Sequence, residues 1–185
     1  MISLKEKKIL ETAERLFSEY SYLNVGIDRI INESEVAKMT FYKYFPSKDF
    51  LIARVLDHRK QFLINSLEKI FESNLCSLDK IHEVFDWFYN WFSTKKFNGC
   101  MFIKASLEFP CSEEFDKINL LYKDWFKTKL VKIFKDLNLS LEKSEELSDF
   151  LLLVLDGLTV KASIKSIDRQ ELNTIKKMFL KNIYI

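Results

Sequence analysis

Along most of the chain, apolar residues return every third or fourth position, and almost nowhere do they alternate. That periodicity predicts helices rather than strands. Near the start, Ile9, Ala13, Leu16, Phe17 and Tyr20 share one face at i, i+4, i+7, i+8 and i+11. They predict a first helix over about Leu4 to Tyr20. After a break at Ser21 to Gly26, the inward positions Ile27, Ile30 and Ile31 mark a short helix to about Ser34. A turn from Ser34 to Ala37 leads into another short helix, over about Lys38 to Tyr44. Leu51, Val55, His58, Phe62 and Ile70 then step along a long fourth helix, from Ser47 to about Glu72.

The second half continues in the same period. A fifth helix over about Asp79 to Ser93 carries Phe85, Trp87, Phe88, Tyr89, Trp91 and Phe92. These cover more than one face, so the helix is expected to be largely surrounded by protein or ligand. A sixth helix, about Cys100 to Phe109, is stopped by Pro110. A seventh runs from about Ser112 to Leu137. An eighth begins at Ser140 or Leu141 and carries Leu147, Phe150, Leu151, Val154, Leu155 and Leu158. The ninth, about Arg169 to Asn182, has Leu172, Ile175, Phe179 and Ile183 in register. The pattern predicts an all-α chain of about nine helices, without internal repeats. The 185 residues include only three Gly and two Pro, so few positions break a helix.

Composition narrows the class. A net charge of +2 is too small to indicate a polyanionic partner, so the placement of charge matters more than its sum. Cys76, Cys100 and Cys111 are odd in number and lack a pairing motif, which argues against a disulfide framework or a zinc site. Without a signal-peptide h-region or an apolar run near the ~20 residues of a membrane span, a soluble, cytoplasmic protein is expected. His58 and His82 stand apart from any metal constellation. No catalytic triad, phosphate loop or array of paired carboxylates stands out, and no cofactor is expected.

The stretch Val36 to Lys48 combines two kinds of residue. Val36, Phe41 and Phe45 are spaced to anchor a short helix in a small core. Lys38, Thr40, Tyr42, Lys43, Tyr44 and Lys48 supply cations, hydroxyls and aromatic rings. Pro46 stops this helix and Ser47 is placed to cap the next. Two short helices joined by a tight turn, the second rich in donors, form a helix-turn-helix pattern. The set suits a helix that holds phosphates while a few side chains reach base edges. The competing reading is an ordinary charged helical surface. Thr40 and Lys43 are the candidates for base-edge contact. Lys5, Lys7 and Lys8 precede the apolar stripe of the first helix, either as phosphate contacts or as a solvated end.

Three segments carry a resemblance to the TetR family of bacterial transcriptional regulators. They are I-L-E-T-A-E-R-L-F-S-E-Y-S-Y (Ile9–Tyr22), I-D-R-I-I (Ile27–Ile31) and V-A-K-M-T-F-Y-K-Y-F-P-S-K-D-F-L (Val36–Leu51). Leu16-Phe17 and the block Phe41 to Lys48 fit the family pattern closely. The resemblance implies a three-helix DNA-binding domain (residues 1–46) joined through the fourth helix to a helical effector-binding and dimerisation domain (residues 47–185). It also implies a cavity among helices four to eight, and a homodimer interface on helices eight and nine. Asn98–Phe109 is similar to a Gly-Cys-aliphatic-Asn-x-x-x-Glu block of one branch, and Leu151–Leu158 looks like the eighth helix. Three positions depart from the family. Glu35 stands where Gly is common in the turn, which suggests another turn geometry. Ala37 replaces a capping Ser or Thr. Met39 replaces Gly, and its side chain would crowd DNA or meet a thymine methyl.

The remaining candidates concern an effector. Phe62, Phe85, Phe88, Trp91 and Trp125 are candidates to line a pocket for a small apolar or amphipathic molecule, with plain core packing as the alternative. Lys104 and Glu108, at i and i+4, either orient a polar group of that molecule or form an ordinary ion pair. Cys100 is either a further lining residue or a buried inert thiol. Asp156 is a candidate for an interfacial partner such as Lys161. Three readings follow: a ligand-responsive dimeric repressor on a palindromic operator, a DNA-binding regulator with no effector, and a small helical enzyme acting on an apolar substrate.

Overall fold

The computed structural model describes residues 3–95 and 97–183. All regular structure among them is helical, and nine helices follow one another: α1 (Leu4–Tyr20), α2 (Ile27–Ser34), α3 (Lys38–Tyr44), α4 (Lys48–Phe71), α5 (Ser77–Phe92), α6 (Met101–Glu108), α7 (Glu113–Asp136), α8 (Leu141–Ile164) and α9 (Arg169–Lys181). The expected boundaries hold to within two residues. The ends are set by capping groups. Ser3, Ser140 and Asp168 accept from the third backbone N–H beyond them, which satisfies donors that a helix start leaves open.

The chain forms two compact units. One comprises Met1–Phe62 and Cys100–Leu120, the other Leu63–Gly99 and Leu121–Ile185. This division differs from the expected boundary after residue 46, because the start of α4 and all of α6 belong with the N-terminal helices. In the first unit Ile9, Leu10, Ala13, Leu16 and Phe17 of α1 are buried with Ile30, Ile31, Phe41, Phe45, Leu51 and Val55. Each of these side chains larger than Ala13, when fully buried, stabilises the fold by about 1.5–3 kcal/mol before entropy is counted. Tyr20 and His58, read as members of the inward stripes, lie outside this core. The Arg29 guanidinium lies 4.1 Å from the Tyr20 ring, and His58 Nδ1 lies 2.7 Å from Glu14.

Helix α6 is fastened to the end of α1 by three contacts. Tyr22, fully buried, donates from its hydroxyl to the Met101 carbonyl at 2.9 Å. Lys104 Nζ donates to the Ser18 carbonyl at 2.7 Å, where the α1 dipole favours a cation. The Leu23 backbone N–H donates to Glu108 at 2.8 Å. Tyr22 also packs its ring against Phe17 and Phe109, with centroids at 5.0 and 5.9 Å.

The second unit is a core of α5, α7, α8 and α9 with the C-terminal half of α4. Phe85 and Phe134 pack on Phe179, while Phe88, Phe126 and Phe71 form a second row of rings. Lys129 reaches Glu68 at 2.6 Å, and Asp86 holds Arg169 at 2.9 Å. Asp156 pairs with Lys123 of α7, and Lys161 pairs with Glu171. Both residues expected to meet across an interface thus have partners within the chain. No described helix is long and apolar enough to cross a membrane.

Replacing Tyr22 by Phe keeps the ring but removes the hydroxyl's bond to the Met101 carbonyl. A loss of about 1 kcal/mol is expected in urea unfolding, the net worth of one buried hydrogen bond.

Candidate nucleic-acid interface

Helix α3 is seven residues long, too short to persist without tertiary support. Its support is the pair Phe41 and Phe45, both buried, with ring centroids 6.0 Å apart. Phe41 lies edge-on to Tyr42, and Phe45 meets Phe50 of α4. Once these two rings point inward, the helical period turns Lys38, Met39, Tyr42 and Lys43 outward, and all four are exposed. Thr40, Tyr44 and Lys48 are half-buried at the margins of that face. Lys43 Nζ lies 5.8 Å from the Tyr44 ring centre.

The turn before α3 departs from expectation. Glu35 adopts the left-handed conformation, with φ 52° and ψ 39°, and its N–H returns to the Asn32 carbonyl at 3.2 Å. The geometry that glycine usually supplies is thus kept by a glutamate, at a cost of about 1 kcal/mol or more. Its carboxylate meets Lys8 Nζ of α1 at 2.5 Å. Ala37 sits at the N-cap with no side-chain bond, as its methyl group dictates. At the other end Pro46 follows the last turn, and Ser47 Oγ accepts from the Phe50 N–H at 3.1 Å, so the expected cap of α4 is present.

Ion pairs hold α1 and α2 around this turn. Glu33 binds Arg15 at 2.5 Å and Arg29 at 2.8 Å. These two guanidinium groups keep the Glu33 carboxyl below its ordinary range, the Arg15 hydrogen bond contributing most. Lys8 does the same for Glu35. Lys38 reaches Asp28 at 3.3 Å, and Lys7 reaches Glu11 at 3.7 Å. Burial pulls the Lys48 ammonium down from its usual value, with Asp49 and Glu108 opposing. A desolvated cation at the first residue of a helix has more to gain from a phosphate than one already in water.

The effector candidates separate between the two units. In the second, Phe88 stacks on Phe126 at 6.2 Å and touches Trp91 at 5.9 Å, while Trp125 reaches the same row through Phe71. Phe85 is turned away from them toward Phe179. In the first unit, Phe62 is 50% exposed beneath the Arg59 guanidinium, so it lines no interior there. Lys104 and Glu108 use their polar ends on backbone groups near the end of α1, not on each other. Burial lowers the Lys104 pKa, while neighbouring Glu108 and Cys100 raise it. Cys100 is half-buried rather than enclosed, and Cys76 and Cys111 are exposed. Among the described residues no group of His, Cys, Asp and Glu is placed to hold a metal. Met39, expected from sequence to crowd DNA or meet a thymine methyl, is 86% exposed and stands on the same face as Lys43.

A short helix held by two buried rings, with cations and a flexible apolar side chain facing out, suits a major groove. The protein is thus of the helix-turn-helix DNA-binding class. Residues 9–55 match the family model of bacterial regulatory proteins, tetR family. An uncharacterized HTH-type transcriptional regulator in the lacX 3' region of Lactococcus lactis subsp. lactis is 29% identical over 161 residues, 86% of this chain and 74% of that protein. The HTH-type regulator YuxN of Bacillus subtilis is 41% identical over 54 residues, 29% of this chain and 19% of its own. The fold is shared with SCO4454, a TetR-family transcriptional regulator from Streptomyces coelicolor. There the TM-score is 0.84 at 22% identity, over 97% of this chain and 92% of that one. A TetR transcriptional regulator from Legionella pneumophila gives 0.82 at 17% identity, over 98% and 97%. Residues 9–55 thus carry the DNA-binding segment of the tetR family of bacterial regulatory proteins, and the chain as a whole shares the fold of TetR-family transcriptional regulators.

The depressed Glu33 carboxyl sets a pH dependence. A group whose pKa is lowered on folding adds stability above its unfolded value, and loses it as pH falls through the folded one. In Glu33→Gln the acid-side decline of Tm should be shallower than in the parent, with the two curves parallel near neutral pH; thermal scans across the carboxylate range check this.

Proposed function

We propose that the protein is a ligand-responsive repressor that binds a palindromic operator as a homodimer. The outward face of α3 carries the reading of DNA contact. Lys38, Tyr42, Tyr44 and Lys48 would hold phosphates, and Thr40 and Lys43 would reach base edges, where one bidentate contact discriminates by about 1–3 kcal/mol.

The dimer is supported by an apolar stripe on α8. Phe150, Leu153, Gly157, Val160 and Ile164 recur at i, i+3, i+7, i+10 and i+14 and are all exposed, Leu153 at 70% and Ile164 at 82%. Met178 of α9 is exposed as well. A run of this kind on a soluble chain marks a contact surface, and a second copy of α8 and α9 would cover it. Two heads, α1 to α3 of each protomer, held at fixed separation would then enter successive major grooves.

Effector response is supported by the aromatic row of Phe88, Trp91 and Trp125 for an apolar or amphipathic molecule. The effector shifts DNA affinity only by its differential affinity for the two states. The bonds from α6 to Tyr22, Ser18 and Leu23 make α6 a lever on the head: any movement of α6 has to carry the end of α1 or break them. A regulator without effector is the second reading, favoured by how closely those rings already pack on one another.

Selection of binding sites from random duplex DNA at near-physiological salt tests the first reading. An inverted repeat is expected. On that site Lys48→Ala should weaken all sequences alike, while Lys43→Ala should also relax preference at one base pair. Unchanged affinity in both variants would remove α3 from the interface. For the dimer, Gly157 offers a clean probe, since a Cβ there meets nothing within 4 Å. Gly157→Glu should leave the fold intact and give a monomer in sedimentation, where the parent gives a dimer.

A further inference from the structure

Two lysines flanking the turn into α3 are already held by carboxylates of the head. Glu35, in the turn itself, holds Lys8 of α1 at 2.5 Å, and Asp28, in the first turn of α2, holds Lys38 of α3 at 3.3 Å. All four side chains are well exposed. Exposed pairs are weak, because water and salt screen them. A DNA phosphate can therefore take either lysine at small cost. The carboxylate is then left beside a polyanion without a partner, which opposes the exchange.

We propose that Asp28 and Glu35 sharpen DNA recognition by competing with phosphates for Lys38 and Lys8, so that duplex lacking the preferred sequence is held only weakly. The proposal rests on the reading of α3 as the DNA-contacting helix. Sequence-independent affinity comes almost wholly from cation–phosphate contacts and the counterions they release. Those are the contacts the two acids withdraw. Lys43, the base-edge candidate, stands apart from these pairs and lies beside the Tyr44 ring. The acids thus lower the affinity common to all sequences and leave the discriminating contact alone. The backbone of Glu35 sharpens the point. Its positive φ suits glycine better, so a side chain there is strained, and its contact with Lys8 offsets part of that strain.

The test is the affinity of the full-length protein for a duplex of scrambled sequence across a series of KCl concentrations, alongside the selected site. Glu35→Gln and Asp28→Asn should each tighten scrambled-duplex binding by about fivefold at low salt, the scale of an exposed ion pair. Each should also steepen the salt dependence by nearly one counterion. The selected-to-scrambled affinity ratio should fall. In a Lys8→Ala background, the gain from Glu35→Gln should disappear. An equal gain with and without Lys8 would overturn the proposal, since Glu35 would then act by bulk repulsion. So would unchanged or weaker scrambled-duplex binding in a folded variant. If Glu35→Gln does not fold, Glu35→Gly, which suits the left-handed backbone, carries the same expectation and the same refutation. The Lys43→Ala and Lys48→Ala controls separate the two levels. Loss of affinity in either with no effect of the acids overturns this proposal alone, whereas unchanged affinity in both overturns the α3 reading and the proposal together.

Discussion

The burial of Phe41 and Phe45 is the constraint on which the head depends. A seven-residue helix forms for too little hydrogen-bonding gain to offset its nucleation cost. The two rings supply the deficit by packing into the space left by α1, α2 and the start of α4. Everything outward follows from that choice. With Phe41 at 0% exposure the helical period has no freedom left, and Lys38, Met39, Tyr42 and Lys43 must face solvent. The residues that would touch DNA are thus oriented by residues that never would.

A similar division runs through the contact between α1 and α6. Tyr22 is buried for its ring and fixed in position by its hydroxyl, which finds the Met101 carbonyl. Lys104 and Glu108 add one bond each to the end of α1, from opposite charges to opposite kinds of backbone group. A cation on a terminal carbonyl is the pairing a helix C-terminus asks for, and the Glu108 carboxylate meets a free backbone N–H of the loop that follows. Two of the side chains read from sequence as candidate ligand contacts, Lys104 and Glu108, are therefore bound up in joining α6 to the end of α1.

Charge in the head is arranged by pairing rather than by excess. Glu33 between Arg15 and Arg29, Glu35 on Lys8 and Asp28 on Lys38 take up much of the positive surface near the turn. A net charge of +2 over the whole chain is consistent with that economy. What remains outward is a limited set of cations around α3, and a limited set discriminates better than a broad one, because non-specific affinity grows with each phosphate neutralised.

Sequence alone determined the helices, because a 3.6-residue apolar period and well-placed caps are local signals. It also determined which two rings anchor α3, since Phe41 and Phe45 lie four residues apart among the largely polar neighbours Lys38, Thr40, Tyr42, Lys43 and Tyr44. The tertiary structure decided what depends on distant partners. Glu35 keeps a left-handed turn beside Lys8, twenty-seven residues away in the chain. Lys104 and Glu108 find backbone groups more than eighty residues away instead of one another. Asp156 finds Lys123, thirty-three residues away, and Phe62 and Tyr20 end up under arginines, outside the core their spacing suggested. Periodicity states which face of a helix is apolar; which neighbour covers that face, and which charge meets which, is set only when segments far apart in the chain pack together.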